Sequence, residues 1–307
     1  MKRIAIGVVG IGKIARDQHL PALAQSNDFD LVATASRTGR VDAVPGYNSV
    51  EELVTSRPDV AAISLCTPPA GRFDQAMAAI AAGRHVMLEK PPAATLSEAD
   101  ALAAAARDQG VTLFATWHSR EAAEVDTARD WLASKTIYAV RIFWHENIRE
   151  WHPGQDWILA PGGFGVFDPG INALSIAARI LPEPLLVLRA DLAIPENRAS
   201  AIASTVVMRS GEALVTADFD FLQAGRQRWD IEVDTHAGML RLSEGGSRLE
   251  LPGAAAVQQS SAEYPRLYAK FAELIRQNAS DVDLSPLRLV ADAALIGQRR
   301  IVAAFEF

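Results

Sequence analysis

Lys90 is the residue of this chain best placed to do chemistry. It stands in Glu89-Lys90-Pro91-Pro92, directly after the short apolar run His85–Leu88. A lysine there is poorly placed for a core. Beyond the carboxyl end of a strand in an open α/β sheet it lies where such folds bind ligands. The two prolines stiffen the turn, and Lys90-Pro91 is the kind of bond that adopts cis at low cost. Asp168 and Asn172 form a second candidate pair, four residues apart in Phe167-Asp168-Pro169-Gly170-Ile171-Asn172. On a helix that spacing points both side chains from one edge of the first turn. Pro169 suits the first helical position and Asp168 its N-cap, with Pro182 stopping the helix after about Leu181. Asp168 therefore either only caps the helix or holds a hydroxyl together with Asn172.

A third cluster is Gly10-Ile11-Gly12-Lys13-Ile14-Ala15, a G-x-G-x-x-A pattern between the apolar run Arg3–Val9 and a helical stretch around Ile14–Ala24. Strand before and helix after are the context this fingerprint requires. Gly10 permits the tight turn, Gly12 lets backbone approach a pyrophosphate, and Ala15 allows close helix–strand packing. The pyrophosphate of a dinucleotide would sit on the helix N-terminus. The second strand, Phe29–Ala35, ends in Ser36-Arg37, with no carboxylate to accept from ribose hydroxyls. Ser36 and Arg37 suit a 2′-phosphate instead, so NADP is expected to be preferred, with NAD usable.

The elements that position these residues follow two patterns. In the first part, the apolar runs Val60–Cys66, His85–Leu88 and Val111–Thr116 alternate with helical stretches Phe73–Ala82 and Ser97–Gln109. Ser97 and Asp100 are read as a capping box, and Gly110 as the stop. Strands alternating with helices mean a doubly wound parallel sheet. After about Arg120 a helix over Ala122–Ala133 is followed by strand candidates Ile137–Glu146, Leu186–Leu192, Ser204–Arg209, Ala213–Phe221, Arg228–Asp234, Met239–Leu242 and Arg248–Leu251. Short turns join several of them, which only antiparallel neighbours allow. Helices at Tyr264–Asn278 and Pro286–Ala304 close the chain. The expectation is an α/β protein: a Rossmann dinucleotide-binding domain over 1–120, then an α+β domain over 121–307 with a mostly antiparallel, open-faced sheet, for substrate binding and oligomerisation.

Composition removes other classes. The 307 residues carry a net charge of −7 and no Lys/Arg cluster, which argues against nucleic acid. Cys66 is the single cysteine, so no internal disulfide forms. The apolar stretch after Arg3 is too short for a signal peptide, and no run of about 20 apolar residues would span a membrane; the expected location is the cytoplasm. No metal-ligand spacing and no G-x-S-x-G nucleophile motif occur.

Taken in order, G-x-G-x-x-A, Cys66-Thr67-Pro68-Pro69, Glu89-Lys90-Pro91 and the segment Gly162-Gly163-Phe164-Gly165-Val166-Phe167-Asp168-Pro169-Gly170-Ile171-Asn172 resemble the glucose-fructose oxidoreductase / inositol dehydrogenase family along essentially the whole chain. Gly10 to Leu23, Thr116-Trp117-His118-Ser119-Arg120 and Trp151-His152-Pro153-Gly154-Gln155 resemble its bacterial L-arabinose / D-galactose 1-dehydrogenase branch, which oxidises an aldose at C1 to the lactone. The resemblance implies that Cys66, Thr67, Pro68 and Glu89 join Gly10, Gly12, Lys13, Ile14, Ser36 and Arg37 at the cofactor, that Lys90 reaches both cofactor and substrate, and that Asp168 is the family aspartate. Asn172 stands where the wider family has histidine, a departure from its Asp/His acid–base pair. An anomeric hydroxyl is more acidic than an ordinary secondary alcohol, so less base strength is needed: Asp168 or Lys90 takes the proton and Asn172 orients the ring.

His118 follows the fifth strand on the ligand side, Glu146 ends the first long strand of the second half, and Trp151-His152-Pro153-Gly154 is a polar loop. His118, Glu146, Trp151 and His152 are read as substrate-binding. Trp151 and Trp157 either stack on a sugar's apolar face or staple the loop; His19 and His85 are read as structural. The leading function is NADP- or NAD-dependent aldose 1-dehydrogenation of L-arabinose or D-galactose. The alternatives are a dehydrogenase of a secondary ring alcohol, against which Asn172 argues, and a non-catalytic nucleotide sensor, which would not need Lys90. A homodimer through the open sheet face is expected, because large apolar patches seldom stay exposed.

Overall fold

The structure is a computed structural model that describes residues 2–260 and 262–307. In chain order the elements are β1 (Ile4–Val9), α1 (Leu20–Ala24), β2 (Phe29–Ala35), β3 (Gly46–Tyr47), α2 (Val50–Ser56), β4 (Ala62–Leu65), α3 (Arg72–Ala81), β5 (His85–Leu88), α4 (Leu96–Gln109) and β6 (Leu113–Ala115). There follow α5 (Val125–Leu132), β7 (Ile137–His145), α6 (Ile148–Trp151), α7 (Phe167–Ile180), β8 (Leu185–Pro195), β9 (Ala203–Ser210), β10 (Ala213–Asp220), β11 (Arg228–Thr235), β12 (Gly238–Ser243), β13 (Arg248–Glu250), β14 (Val257–Gln258), α8 (Glu263–Gln277), α9 (Ser285–Ile296) and β15 (Gln298–Val302).

The chain divides into two compact units, 1–118 with 262–284, and 119–261 with 285–307. The continuous second domain over 121–307 is thereby corrected. The first unit runs to His118, and α8 belongs with it. The cause is its apolar face: Tyr264, Leu267, Tyr268, Phe271 and Ala272 are buried with Ile6, Val8, Phe29 and Phe114. The Phe29 and Phe271 rings stack at 5.6 Å. Past α8, Asp281 lies alongside β6, its N–H donating to Leu113 O and its carbonyl accepting from Ala115 N.

The first unit holds a parallel six-stranded sheet in the order β3-β2-β1-β4-β5-β6. This is the doubly wound Rossmann arrangement, whose strand order reverses between β1 and β4. Strands β4 and β6 and most of β5 are buried on both faces, hence their continuous apolar runs. One local expectation is refined and another corrected. The stretch Ile14–Ala24 is a π-helical turn over Ala15–His19 joined to α1, with the Leu20 N–H reaching back to Ala15 O. Pro21, at the start of α1, has no N–H with which to continue the tighter ladder. The capping box of α4 is Thr95 and Glu98, two residues before Ser97 and Asp100: Thr95 Oγ1 accepts from Glu98 N at 3.2 Å, and Glu98 Oε2 accepts from Ala94 N at 3.0 Å. Gly110 ends α4 in the left-handed conformation, as the sequence implies.

The second unit carries a nine-stranded sheet, β14-β13-β12-β11-β7-β10-β9-β8-β15. It is mostly antiparallel, with two parallel contacts, β7 with β10 and β8 with β15. The long final helix to Ala304 is corrected here: α9 stops at Ile296, and after Gly297 the β-branched pair Ile301-Val302 ends a short edge strand. A β-carbon on Gly297 would lie 2.5 Å from Ala293 O. Along β9 and β10 the burial alternates strictly, so one face of the sheet is covered and the other is open. The register aligns Met239, Asp234, Ala139, Leu214, Arg209 and Leu186 in one row on the open face. Among the described residues no helix is long and apolar enough to cross a membrane.

Candidate active site

In the first unit the candidate residues gather at the carboxyl ends of β1, β2, β4 and β5. Gly10 has φ of +87°, and a β-carbon there would meet Thr67 N at 2.9 Å; at Gly12 a β-carbon would meet nothing within 4 Å. The first glycine is thus forced by the turn and the neighbouring strand end. The second leaves backbone open to an approaching group. That is the cradle a dinucleotide pyrophosphate requires, so the residues present fit the cofactor. Lys13 is paired with Asp17, one turn on; Ile14 is exposed. Ser36 Oγ accepts from Gly39 N at 3.0 Å, and Arg37 is exposed. Arg40, which the sequence reading passed over, holds this loop shut by donating to Ser36 O and to Asn48 Oδ1.

Cys66 is buried; Thr67 Oγ1 donates to Gln75 Oε1 at 2.7 Å. The turn at Thr67 and the turn at Lys90 are tied together by Arg72, which is 2% exposed and donates to the carbonyls of Thr67, Glu89 and Pro91. A buried guanidinium is tolerated because these carbonyls satisfy it. The sequence offered one faint signal for it, an arginine opening a helix that otherwise turns mostly alanine and larger apolar residues inward. The Lys90–Pro91 peptide is cis.

Glu89 is buried and makes three bonds. Its Oε1 accepts from Tyr264 Oη at 2.7 Å and lies 3.0 Å from His19 Nε2; its Oε2 accepts from Lys90 N at 2.8 Å. His19 Nδ1 lies 2.8 Å from Tyr268 Oη. The structural role read for His19 fits this placement, while the cofactor role read for Glu89 finds its carboxylate engaged by protein groups. His118 opens a short 3₁₀ turn; its Nδ1 lies 2.7 Å from Glu263 Oε2 and its ring stacks on Tyr264 at 5.7 Å. His85 Nδ1 accepts from Thr112 N, which also fits a structural part.

In the second unit Asp168 and Asn172 lie on α7. The N-cap reading of Asp168 is corrected: α7 begins at Phe167 with Val166 as its cap, and Asp168 sits inside the first turn. The chain is already coiled before it, Phe167 N donating to Phe164 O and Asp168 N to Gly165 O. Asp168 is buried at 5% exposure, and Asn172 is half-buried. The glycines before the helix permit close backbone contact. A β-carbon on Gly163 would lie 2.3 Å from Trp157 O, and one on Gly165 2.4 Å from Ala201 O.

Glu146 follows β7 and is buried. Its Oε1 lies 2.8 Å from His152 Nε2, and its Oε2 accepts from Trp229 Nε1 at 3.1 Å. Trp151, partly exposed at 37%, packs on Trp229 with centroids 4.9 Å apart. The structure thus brings together Glu146, Trp151 and His152 and adds Trp229, which sequence reasoning missed because it lies on β11, far along the chain. A carboxylate, an imidazole and two indoles in one cluster offer acceptors, a donor and apolar ring faces, the groups that hold a polyhydroxylated ring. Trp157 is half-buried on the following turn.

The family model for the oxidoreductase family with an NAD-binding Rossmann fold matches residues 4–116. The galactose 1-dehydrogenase of Pseudomonas fluorescens is 43% identical over 318 residues, covering 99% of both chains. The crystal structure of a D-galactose-1-dehydrogenase from Rhizobium etli superposes with a TM-score of 0.96 at 50% identity, covering 100% of this chain and 99% of that one. A 3-ketoreductase from Actinomadura kijaniata, solved with NADP, shares the fold at a TM-score of 0.85 and 19% identity, covering 99% of this chain and 100% of that one. With its glycine cradle and this full-length similarity, the chain belongs to the glucose-fructose oxidoreductase / inositol dehydrogenase family of NAD(P)-dependent oxidoreductases.

Proposed function

We propose that the chain is a sugar dehydrogenase that oxidises D-galactose, and L-arabinose with it, at the anomeric carbon to the lactone, with NADP preferred over NAD. The observation that carries the reading is the full-length similarity to galactose 1-dehydrogenases. The two sugars share configuration at the ring carbons next to the reacting one and differ by a hydroxymethyl group. A permissive pocket discriminates such a group by only about 1–3 kcal/mol. Bound NADP or NAD supplies the hydride acceptor. The backbone of Gly10 to Ile14 and the turn at Cys66, Thr67 and Pro68 hold the dinucleotide, and Ser36 and Arg37 read its 2′-phosphate. Lys90 serves cofactor and sugar from its stiff turn. Asp168 or Lys90 takes the hydroxyl proton, Asn172 orients the ring, and Glu146, Trp151, His152 and His118 hold the remaining hydroxyls and ring faces.

Asn172 favours this reading over oxidation of a secondary ring alcohol, which needs a stronger base than an amide. A screen of aldoses and inositols with NADP and with NAD, followed by the absorbance of the reduced cofactor, tests it. Turnover of D-galactose with release of the lactone is expected; turnover of inositols alone overturns the reading. The chain is also proposed to act in the cytoplasm and as a homodimer through the open sheet face. There, exposed Leu186, Leu214 and Met239 lie among the ion pairs of Arg141 with Glu232 and Asp234 and of Arg228 and Arg241 with Asp230. A Leu214→Glu chain that sediments as a monomer while the parent is a dimer would bear out the second point; a monomeric parent sinks it.

A further inference from the structure

We propose that residues Phe305–Phe307 are a strut that positions α6 and the turn at Asp156, and through them the sugar-contacting loop 146–166. The segment is gripped from three directions within the second unit. Arg149, on α6, lays its guanidinium over the Phe305 ring at 4.5 Å and donates to Glu306 O. Asn197, in the loop after β8, makes a reciprocal pair with Phe305: its Oδ1 accepts from Phe305 N at 2.9 Å and its Nδ2 donates to Phe305 O at 3.1 Å. The same Nδ2 lies 2.8 Å from Glu306 Oε1. Arg198 donates from Nε to Phe305 O at 3.1 Å and from Nη1 to Asp156 Oδ1 at 3.0 Å, so one guanidinium joins the segment to the turn beyond His152. Phe305 itself is buried, and its ring meets that of Phe307 edge-on at 5.4 Å.

The elements so gripped are those least able to hold themselves. A helix as short as α6 has almost no stability of its own. The loop after it contains Gly154, Gly162, Gly163 and Gly165, residues that restrict the chain least. Yet Glu146 and His152, bonded to each other across α6, must keep their geometry to hold a ring. Arg149 and Asp156 are anchors on either side of His152, and both are held against Phe305–Phe307. The loop after β8 completes the frame: Ala199 N donates to Leu159 O, and Ser200 Oγ donates to Gly163 O at 2.9 Å. None of these residues is offered as touching substrate; they act through the loop.

The proposal rests on the reading of Glu146, Trp151 and His152 as sugar-contacting, and the test separates the two. In a chain lacking residues 305–307, amide hydrogen exchange across 148–166 is expected to accelerate. The KM for D-galactose is expected to rise by about tenfold or more, since misplacement by an ångström can cost that much. The Kd for NADP should stay within about twofold of the parent, because the dinucleotide is bound by the other unit. Arg149→Met is expected to reproduce the effect, and Arg149→Lys, which keeps the cation over Phe305, to recover most of it. An unchanged KM and unchanged exchange in the folded, shortened chain overturn the strut. So does an equal loss of NADP affinity, which reports general loosening. If the shortened chain does not fold, Arg149→Met against Arg149→Lys decides. In the intact chain Glu146→Gln and Trp151→Ala should each raise the KM. If they do not, it is the sugar-site reading that fails, and the exchange measurement still judges the strut.

Discussion

His19 Nε2 lies 3.0 Å from Glu89 Oε1, and both side chains are buried. The contact joins the turn that follows the glycine fingerprint to the residue beside Lys90, whose own N–H is held by the other carboxylate oxygen. Burial pushes the Glu89 carboxyl up, but the His19 hydrogen bond and charge, the His118 charge and the Tyr264 hydroxyl outweigh it, holding Glu89 far below the usual carboxylate range. Burial likewise opposes a charge on His19; Cys66, Tyr268 and Glu89 around it more than offset this, and its pKa is raised well above the ordinary value. The two therefore stand as a buried ion pair.

The pair makes stability depend on pH in a definite sense. A depressed carboxyl contributes stability that is present above its ordinary pKa of 4.5 and lost as pH falls through the depressed value. A raised histidine contributes stability that is present below its ordinary 6.5 and lost as pH rises through the raised value. Both contributions are complete only between 4.5 and 6.5. Urea unfolding of the parent and of a His19→Gln, Glu89→Gln double variant should differ most in that window and less toward alkaline pH. A difference independent of pH would argue against an ion pair. Glu89→Gln alone should cost about 3–5 kcal/mol, by stranding a buried charge.

Arg37→Ala tests the cofactor preference. Loss of a charge-assisted bond costs about 1.5–3 kcal/mol, so the KM for NADP should rise roughly 10–150-fold while that for NAD moves little. Equal changes for both cofactors would show that Arg37 does not read the 2′-phosphate.

Lys90→Met should leave folding and most NADP binding intact and collapse turnover. The turn that carries it is held by Arg72 and Glu89 through main-chain atoms, so removing the amine does not dismantle the turn. A folded variant with near-normal kcat would place the chemistry elsewhere.

Asp168→Asn separates charge from shape. Asp168 is not the cap of α7, so the amide removes a proton acceptor and a first-turn charge worth only about 0.3–1 kcal/mol, leaving the cap at Val166 in place. We expect a melting temperature close to that of the parent and a fall in turnover of about 10²-fold or more. Asn172→Ala should act chiefly on the KM for the sugar, since an orienting amide binds ground and transition states alike. Normal turnover of folded Asp168→Asn would leave the aspartate a structural residue.

Much of this molecule is legible without coordinates because it is local. The glycine turn, the lysine turn, the alternating strands of the second unit and the stop at Gly110 each follow from a few neighbouring residues, and each stands as read. The sequence places Glu146, Trp151 and His152 near one another along the chain, and their clustering needs only a single turn of helix. What tertiary structure decided is what depends on partners distant in sequence. Tyr264 and Tyr268 carry α8 back to the first unit because its apolar face matches the core around Phe29 and Phe114, a complementarity no local pattern encodes. Trp229 reaches Glu146 only through the pairing of β11 with β7. Arg72 can be buried only because three carbonyls from two separate turns converge on it, and the grip of Arg149, Asn197 and Arg198 on Phe305–Phe307 spans more than a hundred residues. Periodicity and turn chemistry are written in adjacent residues; the satisfaction of buried charge and the bracing of loops are written only in space.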